Sequence, residues 1–133
     1  MSDTAKKLRK FARSTQTAIA LEASPEMLES LSTAFNTVFV FSVNPPSVKR
    51  RNIIYRELVA DIEQIPEVGL VYAEEGGIVH LPTLQSVFQH HKPTLMIGSG
   101  EYIHKKIARW LGEHVRYEMV DIAKRWQLWK LKQ

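Results

Sequence analysis

At 133 residues the chain is one domain's worth, long enough to bury a single core and short for an enzyme that must also carry a separate substrate domain. It contains no cysteine, which excludes disulfides, thiolate nucleophiles and cysteine zinc sites together and accords with a reducing compartment. No apolar run approaches the roughly 20 residues needed to span a bilayer, and MSDTAKKLRKFAR lacks the apolar core of a secretory signal, so a cytoplasmic protein is expected.

The formal net charge is +4, and its location matters more than its size. Of 18 basic and 14 acidic residues, five basic (Lys6, Lys7, Arg9, Lys10, Arg13) and one acidic (Asp3) fall in residues 1–13, leaving 13 of each sign in the remainder. Residues 1–14 are therefore expected to form a basic arm or a short helix, with Leu8, Phe11 and Ala12 as a small apolar face, and residues 15–133 a single domain. A basic arm suits a phosphate backbone or an acidic partner.

Beyond the arm, apolar runs alternate with helical patterns. Thr17 to Ala23 (TAIALEA) reads as a buried strand. Ser24 then caps a helix with Pro25 at its first position and Met27, Leu28, Leu31 and Phe35 on one face. Thr37 to Ser42 (TVFVFS) is a second strand, rich in β-branched and aromatic residues. VNPPSVKRR follows, where two prolines rule out regular structure across the join. Residues 52–56 (NIIYR) give a short third strand, with a helix running on to Ile62 as the alternative, since Ile54, Leu58 and Ile62 keep helical spacing. Glu67 to Ala73 (EVGLVYA) is a fourth strand, and Leu81 to His91 carries Leu84, Val87 and Phe88 on a helical face. Pro93 to Gly98 (PTLMIG) is a fifth. Gly98-Ser99-Gly100 turns into EYIHKKIARWLGEH, a helix with Ile103, Ile107, Trp110 and Leu111 inward, Lys105, Lys106 and Arg109 outward, and Gly112 placed as a C-cap. VRYEMVDI and RWQLWKLK alternate as two strands of a hairpin. The expected fold is α/β, three layers around a mostly parallel sheet that ends in an antiparallel hairpin.

In this order of elements, across about residues 17–132, the chain resembles the Rossmann-like fold of AdoMet-dependent methyltransferases. VGLVYAEE looks like that family's fourth strand, PTLMIGSG like its fifth, and VRYEMVDIAKRWQLWKLK like its final hairpin. The resemblance implies seven strands in the order 3-2-1-4-5-7-6 with the seventh antiparallel. It also implies an acidic residue at the end of the first strand, matched by Glu22, followed by a glycine-rich turn. No glycine is present there: Ala23, Ser24, Pro25, Glu26 and Met27 fill the turn with side chains and one fixed φ. At the end of the second strand, where an acid would hold the ribose hydroxyls, the chain offers Ser42 and Asn44. The principal expectation is accordingly a degenerate domain of this fold, a non-catalytic binding or assembly module with no cofactor and no metal, and with no catalytic residue assignable.

A second placement resembles the permuted amino-methyltransferases and implies AdoMet as cofactor. Asn44, Pro45 and Pro46 are similar to the motif that holds a target amine, while Gly98, Ser99 and Gly100 would lie near the cofactor and Glu118 on its ribose; Ser47 stands where that motif has an aromatic. A third reading is a nucleic-acid accessory protein using the arm (Lys6, Lys7) together with Lys49, Arg50 and Arg51.

Ligands of open α/β sheets bind outside the carboxyl ends of the strands. The candidate pocket is therefore Glu22, Ser24, Ser42, Tyr72, Glu74 and Gly98, and carboxylates of Glu22 and Glu74 facing one crevice would favour a cation or polar ligand over phosphate. Adjacent His90 and His91 point about 100° apart on a helix and offer no metal pair. Trp126 and Trp129 fall on opposite faces of the last strand, so one packs inward while the other meets solvent, a covering helix or a second chain. A protein partner, or self-association through this hairpin, is the expected interaction.

Overall fold

A computed structural model describes residues 2–42, 47–56, 65–74, 81–98, 105–123 and 126–132. The elements in chain order are α1 (Asp3–Phe11), β1 (Thr17–Leu21), α2 (Pro25–Ala34), β2 (Thr37–Phe41), β3 (Ile53–Arg56), β4 (Val68–Glu74), α3 (Leu81–His90), β5 (Thr94–Gly98), α4 (Lys105–Glu113), β6 (Tyr117–Ala123) and β7 (Trp126–Leu131). The seven strands form one sheet in the order β3-β2-β1-β4-β5-β7-β6, as the resemblance implied. β3 through β5 pair in parallel, and β7 runs antiparallel to both β5 and β6.

The third element is a strand, as NIIYR suggested; the continuation of the helical alternative to Leu58 and Ile62 lies outside the described residues. Every residue of β1 and β5 is buried, as is all of β4 except Glu74, because helices cover both faces of the sheet. On one face Ala18, Ala20, Val38, Val40, Leu70, Tyr72, Met96 and Leu128 pack beneath α1 and α2. On the other, Ile19, Leu21, Phe39, Phe41, Val71, Leu95 and Ile97 meet Leu84, Val87 and Phe88 of α3 and Leu111 of α4.

The basic N-terminal segment is part of this core. Ser2 caps α1, its hydroxyl accepting from the Ala5 amide at 3.2 Å, and Ala5, Leu8 and Phe11 are buried against α2 and the sheet. Arg9 donates to the Ala34 and Thr33 carbonyls at 3.2 and 3.3 Å, so a cation meets the negative end of α2. Asn52 satisfies the same helix end from the other side, donating to the Ser32 and Phe35 carbonyls at 2.8 and 3.1 Å.

The two tryptophans do face opposite ways. Trp126 lies under α1, edge-on to Phe11 at 6.3 Å with the Lys7 ammonium 5.9 Å from its ring, and Trp129 packs against the other core. A covering helix, rather than solvent, meets the outward tryptophan. Since β7 lies between β5 and β6, the free edge of the hairpin is β6.

Gly112 is not the C-cap expected of it. α4 runs through Gly112 to Glu113, the His114 amide closes on the Trp110 carbonyl at 2.9 Å, and the left-handed residue is Arg116 with φ of 57°. Gly69 is the opposite case. The entering chain crosses β4 there, the Arg13 amide donates to the Gly69 carbonyl at 3.0 Å, and a Cβ on Gly69 would overlap the Ser14 backbone.

No described helix is long and apolar enough to cross a membrane.

Gly112→Ala, whose Cβ would meet open space within a helix, should raise stability by about 0.5–1 kcal/mol, whereas Gly69→Ala should lower it by about 3 kcal/mol, both read as denaturation midpoints; equal effects would refute the crossing at Gly69. The pKa of His91 is held below its usual 6.5, chiefly by burial and then by His90, with Glu67 and the Ile65 backbone opposing. The fold thus favours the neutral ring, and the unfolded chain takes up the proton first. Stability from this group is complete above about pH 6.5 and falls as pH drops toward the lower folded value. Thermal midpoints from pH 7.5 to 5 should fall further for the native protein than for His91→Gln.

Candidate functional site

At the carboxyl ends of the central strands, the backbone of β1 turns sharply into α2. Glu22 has a φ of 60° and its amide donates to the Phe41 carbonyl at 3.3 Å, keeping the end of β1 joined to β2. A left-handed non-glycine residue is uncommon and here serves to redirect the chain into the helix. Ser24 then caps α2, its hydroxyl accepting from the Met27 amide at 3.2 Å, with Pro25 following at a position that needs no N–H donor. The Ser-Pro pair therefore acts as the helix start that the sequence suggested.

Glu22 and Glu74 end neighbouring strands, yet their carboxylates point to different partners. The Ser42 hydroxyl donates to Glu22 Oε2 at 2.9 Å, bridging β1 to β2. Glu74 Oε1 accepts from the Tyr72 hydroxyl at 2.9 Å and from the Ser24 amide at 3.3 Å, bridging β4 to the turn. Burial raises the Tyr72 pKa well above its usual value, with the Glu74 charge and hydrogen bond adding to it, so this phenol remains a donor throughout the ordinary pH range. The Tyr72 ring in turn lies over Gly98, where a Cβ would overlap the phenol oxygen. Glycine at the end of β5 is thus explained by close packing.

Thr4, Ser24, Glu26, Met27, Ser30, Tyr72, Glu74 and Trp126 line a cleft of about 240 Å³ between the N-terminal ends of α1 and α2 and the strand ends. Among the described residues of this lining there are two carboxylates and no cation, an arrangement that opposes phosphate and suits a cation or an uncharged polar group. Of the six residues expected to form a pocket, Ser24, Tyr72 and Glu74 line the cleft, Gly98 backs Tyr72, and Glu22 and Ser42 pair beside it.

Sequence reasoning missed Thr4, Glu26, Met27, Ser30 and Trp126. The helical spacing after Ser24 carried a signal for Met27 and Ser30, one turn apart on α2. Nothing local pointed to Thr4 or Trp126, which arrive from opposite ends of the chain.

The alternative amine and cofactor residues Asn44, Pro45, Pro46 and Gly100 lie outside the described residues. Glu118 is exposed and opposite Lys130, whereas Gly98 pairs with Trp126 at the far end of the hairpin. Five residues along β6 separate Glu118 from Ala123, the partner of Trp126, which is about 17 Å. The structure therefore does not bring Glu118 to Gly98. Lys6 and Lys7 are exposed on α1, and Lys49, Arg50 and Arg51 are exposed before β3, where Arg50 approaches Glu29 at 3.9 Å. Among the described residues no three histidine, aspartate or glutamate side chains cluster as metal ligands.

No protein-family model matches the sequence. No curated protein matches it either. Solved structures do match its fold. The ribosomal protein L11 methylase of Lactobacillus delbrueckii subsp. bulgaricus is 13% identical with a TM-score of 0.64, covering 98% of this chain and 77% of its own. The precorrin-6y C5,15-methyltransferase of Geobacter metallireducens GS-15 is 15% identical with a TM-score of 0.64, covering 97% and 87%. A putative methyltransferase of Streptococcus mutans, solved with SAH, is 12% identical with a TM-score of 0.57, covering 96% and 95%. The chain has the Rossmann-like fold of AdoMet-dependent methyltransferases, with the strand order and antiparallel C-terminal hairpin of that fold and without a glycine-rich turn after its first strand.

Proposed function

We propose that this domain is a non-catalytic member of its fold type, serving as a binding or assembly module. The observation that carries the reading is the Glu74 carboxylate on the Ser24 amide. In a nucleotide turn the amides after the first strand face the ligand. Here one of them is engaged by a carboxylate of the protein itself, Ser24 Oγ is engaged by the Met27 amide, and the turn carries Ala23, Ser24 and Pro25 where close backbone approach would require glycine. The remaining acid of the turn, Glu22, bonds Ser42.

The partner in this reading is a protein or a second copy of the chain, met through the C-terminal hairpin. β6 offers the free edge of a seven-stranded sheet. Met119 on that strand and Leu131 on β7 are 51% and 40% exposed and stand diagonally across the same face, an apolar pair beside unpaired backbone groups. Pairing of two β6 edges would satisfy those backbone groups and bring Met119 against the partner strand.

A methyltransferase using AdoMet is the second reading, supported by the cleft at the strand ends and by neighbours such as the Streptococcus mutans protein solved with SAH.

Thermal unfolding with about 1 mM AdoMet, and separately with its demethylated product, separates the two readings. A ligand at 100 times its dissociation constant stabilises by about 2.7 kcal/mol, which for a domain of this size is roughly 10 °C. The expected outcome is an unchanged midpoint; a rise of that order would establish a cofactor site and overturn the non-catalytic reading. Light scattering at high micromolar concentration should give twice the 15.3 kDa chain mass, reverting to one chain mass in Met119→Lys. A native protein that remains at one chain mass would dispose of the hairpin interface.

A further inference from the structure

The end of the sheet opposite the cleft carries a basic surface. Lys10 in the last turn of α1, Arg13 after it, Lys92 before β5 and Lys130 in β7 line a groove of about 470 Å³ with Phe11, Ala12, Pro93, Thr94 and Leu131. These cations come from three separate stretches of sequence, and no run in the chain announces them together.

The groove is built from tied walls. Arg13 donates through its Nη1 to the Lys92 carbonyl at 3.2 Å, the Thr94 hydroxyl donates to the Phe11 carbonyl at 2.9 Å, and the buried Tyr117 hydroxyl donates to the Pro93 carbonyl at 2.6 Å. The Lys132 amide donates to the Arg116 carbonyl at 2.9 Å, which sets two further exposed cations at the same end of the hairpin. Two carboxylates stand nearby, Glu118 opposite Lys130 and Glu67 just before β4. Among the described residues none of these six cations forms an ion pair, so their charge is available to a partner.

We propose that this N-terminal edge of the sheet is a sequence-independent docking surface for the phosphodiester backbone of a nucleic-acid duplex, centred on Lys10, Arg13, Lys92 and Lys130. From Gly69 of β4, where Arg13 is bonded, to Arg116 before β6 the edge crosses three inter-strand steps, about 14 Å, comparable to four base-pair steps of about 3.4 Å. An acidic protein would need an apolar or aromatic centre to its interface. Among the described residues of this groove Leu131 is the one large exposed apolar side chain, since Phe11 is 6% exposed and lies under its neighbours. Among the described residues no exposed aromatic lines it for stacking on unpaired bases, which favours a duplex over a single strand. The surface is independent of the cleft and of whether the domain binds AdoMet.

Fluorescence anisotropy of the full chain with labelled duplexes of about 20 base pairs, DNA and RNA in two unrelated sequences each, tests this at about 50–200 mM salt. Binding to either duplex irrespective of sequence is expected, with a log–log salt slope of roughly −3.6 for four phosphate contacts. The variant Lys10→Gln/Lys92→Gln/Lys130→Gln spares the Arg13 bonds and should reduce the slope to about −1 and the affinity at least tenfold at about 50 mM salt. A control, Lys6→Gln/Lys7→Gln/Lys49→Gln, removes equal charge elsewhere and should keep most of the affinity. Unfolding midpoints of both variants establish that they are folded. The proposal is overturned by no binding at the lowest salt, by equal losses in the two variants, or by polyglutamate competing as well as duplex, which would identify an acidic protein as the occupant.

Discussion

Burial of the central strands on both faces is the constraint from which the remaining architecture follows. β1 exposes no residue and β4 only its terminal Glu74, so apolar side chains of both parities must be covered by helices. In a chain of this length every amphipathic segment is needed for that purpose, including the most basic one. α1 docks with Ala5, Leu8 and Phe11 inward, adding three buried apolar side chains worth on the order of 1–3 kcal/mol for each of the larger two. Once it is docked, Thr4 reaches the cleft, Lys7 covers Trp126, Arg9 meets the end of α2, and Lys10 and Arg13 form a wall of the groove.

The two ends of the sheet consequently differ in charge. The carboxyl ends of the strands carry Glu22 and Glu74 with Glu26 on the adjoining helix, while Lys92, Lys130, Lys132 and Arg116 gather at the other end with the last turn of α1. The described residues thus present carboxylates in the cleft at one end of the sheet and a basic edge at the other. The acidic end is also internally bonded: Ser42, Tyr72 and the Ser24 amide all donate to the two carboxylates. Charge-assisted bonds of this kind stabilise the turn and reduce the number of donors left for a ligand.

Much of the fold was legible because its signals are local. The five parallel strands were marked by short β-branched and aromatic runs, α2 by Ser24-Pro25, and the hairpin by the alternation in VRYEMVDI and RWQLWKLK. The candidate site was legible only where a residue ends a strand, as Tyr72, Glu74 and Ser24 do. Gly112 misled because a glycine near a helix end resembles a cap, whereas the left-handed conformation fell on Arg116, where the hairpin begins. Gly69 gave no signal at all, since its small size is required by a backbone crossing between residues far apart in sequence.

Sequence alone determined most of the strands and helices, leaving residues 1–14 and 52–62 open, together with the absence of a glycine turn after TAIALEA and the concentration of charge in the first 13 residues. These depend on side-chain periodicity, conformational freedom and composition, all properties of neighbouring residues. Tertiary structure decided that the N-terminal segment is a core helix, that Glu22 and Glu74 turn to different partners, and that Lys10, Arg13, Lys92 and Lys130 share one groove. Each of those depends on contacts between residues tens of positions apart, whose meeting is set by the requirement to cover both faces of one sheet.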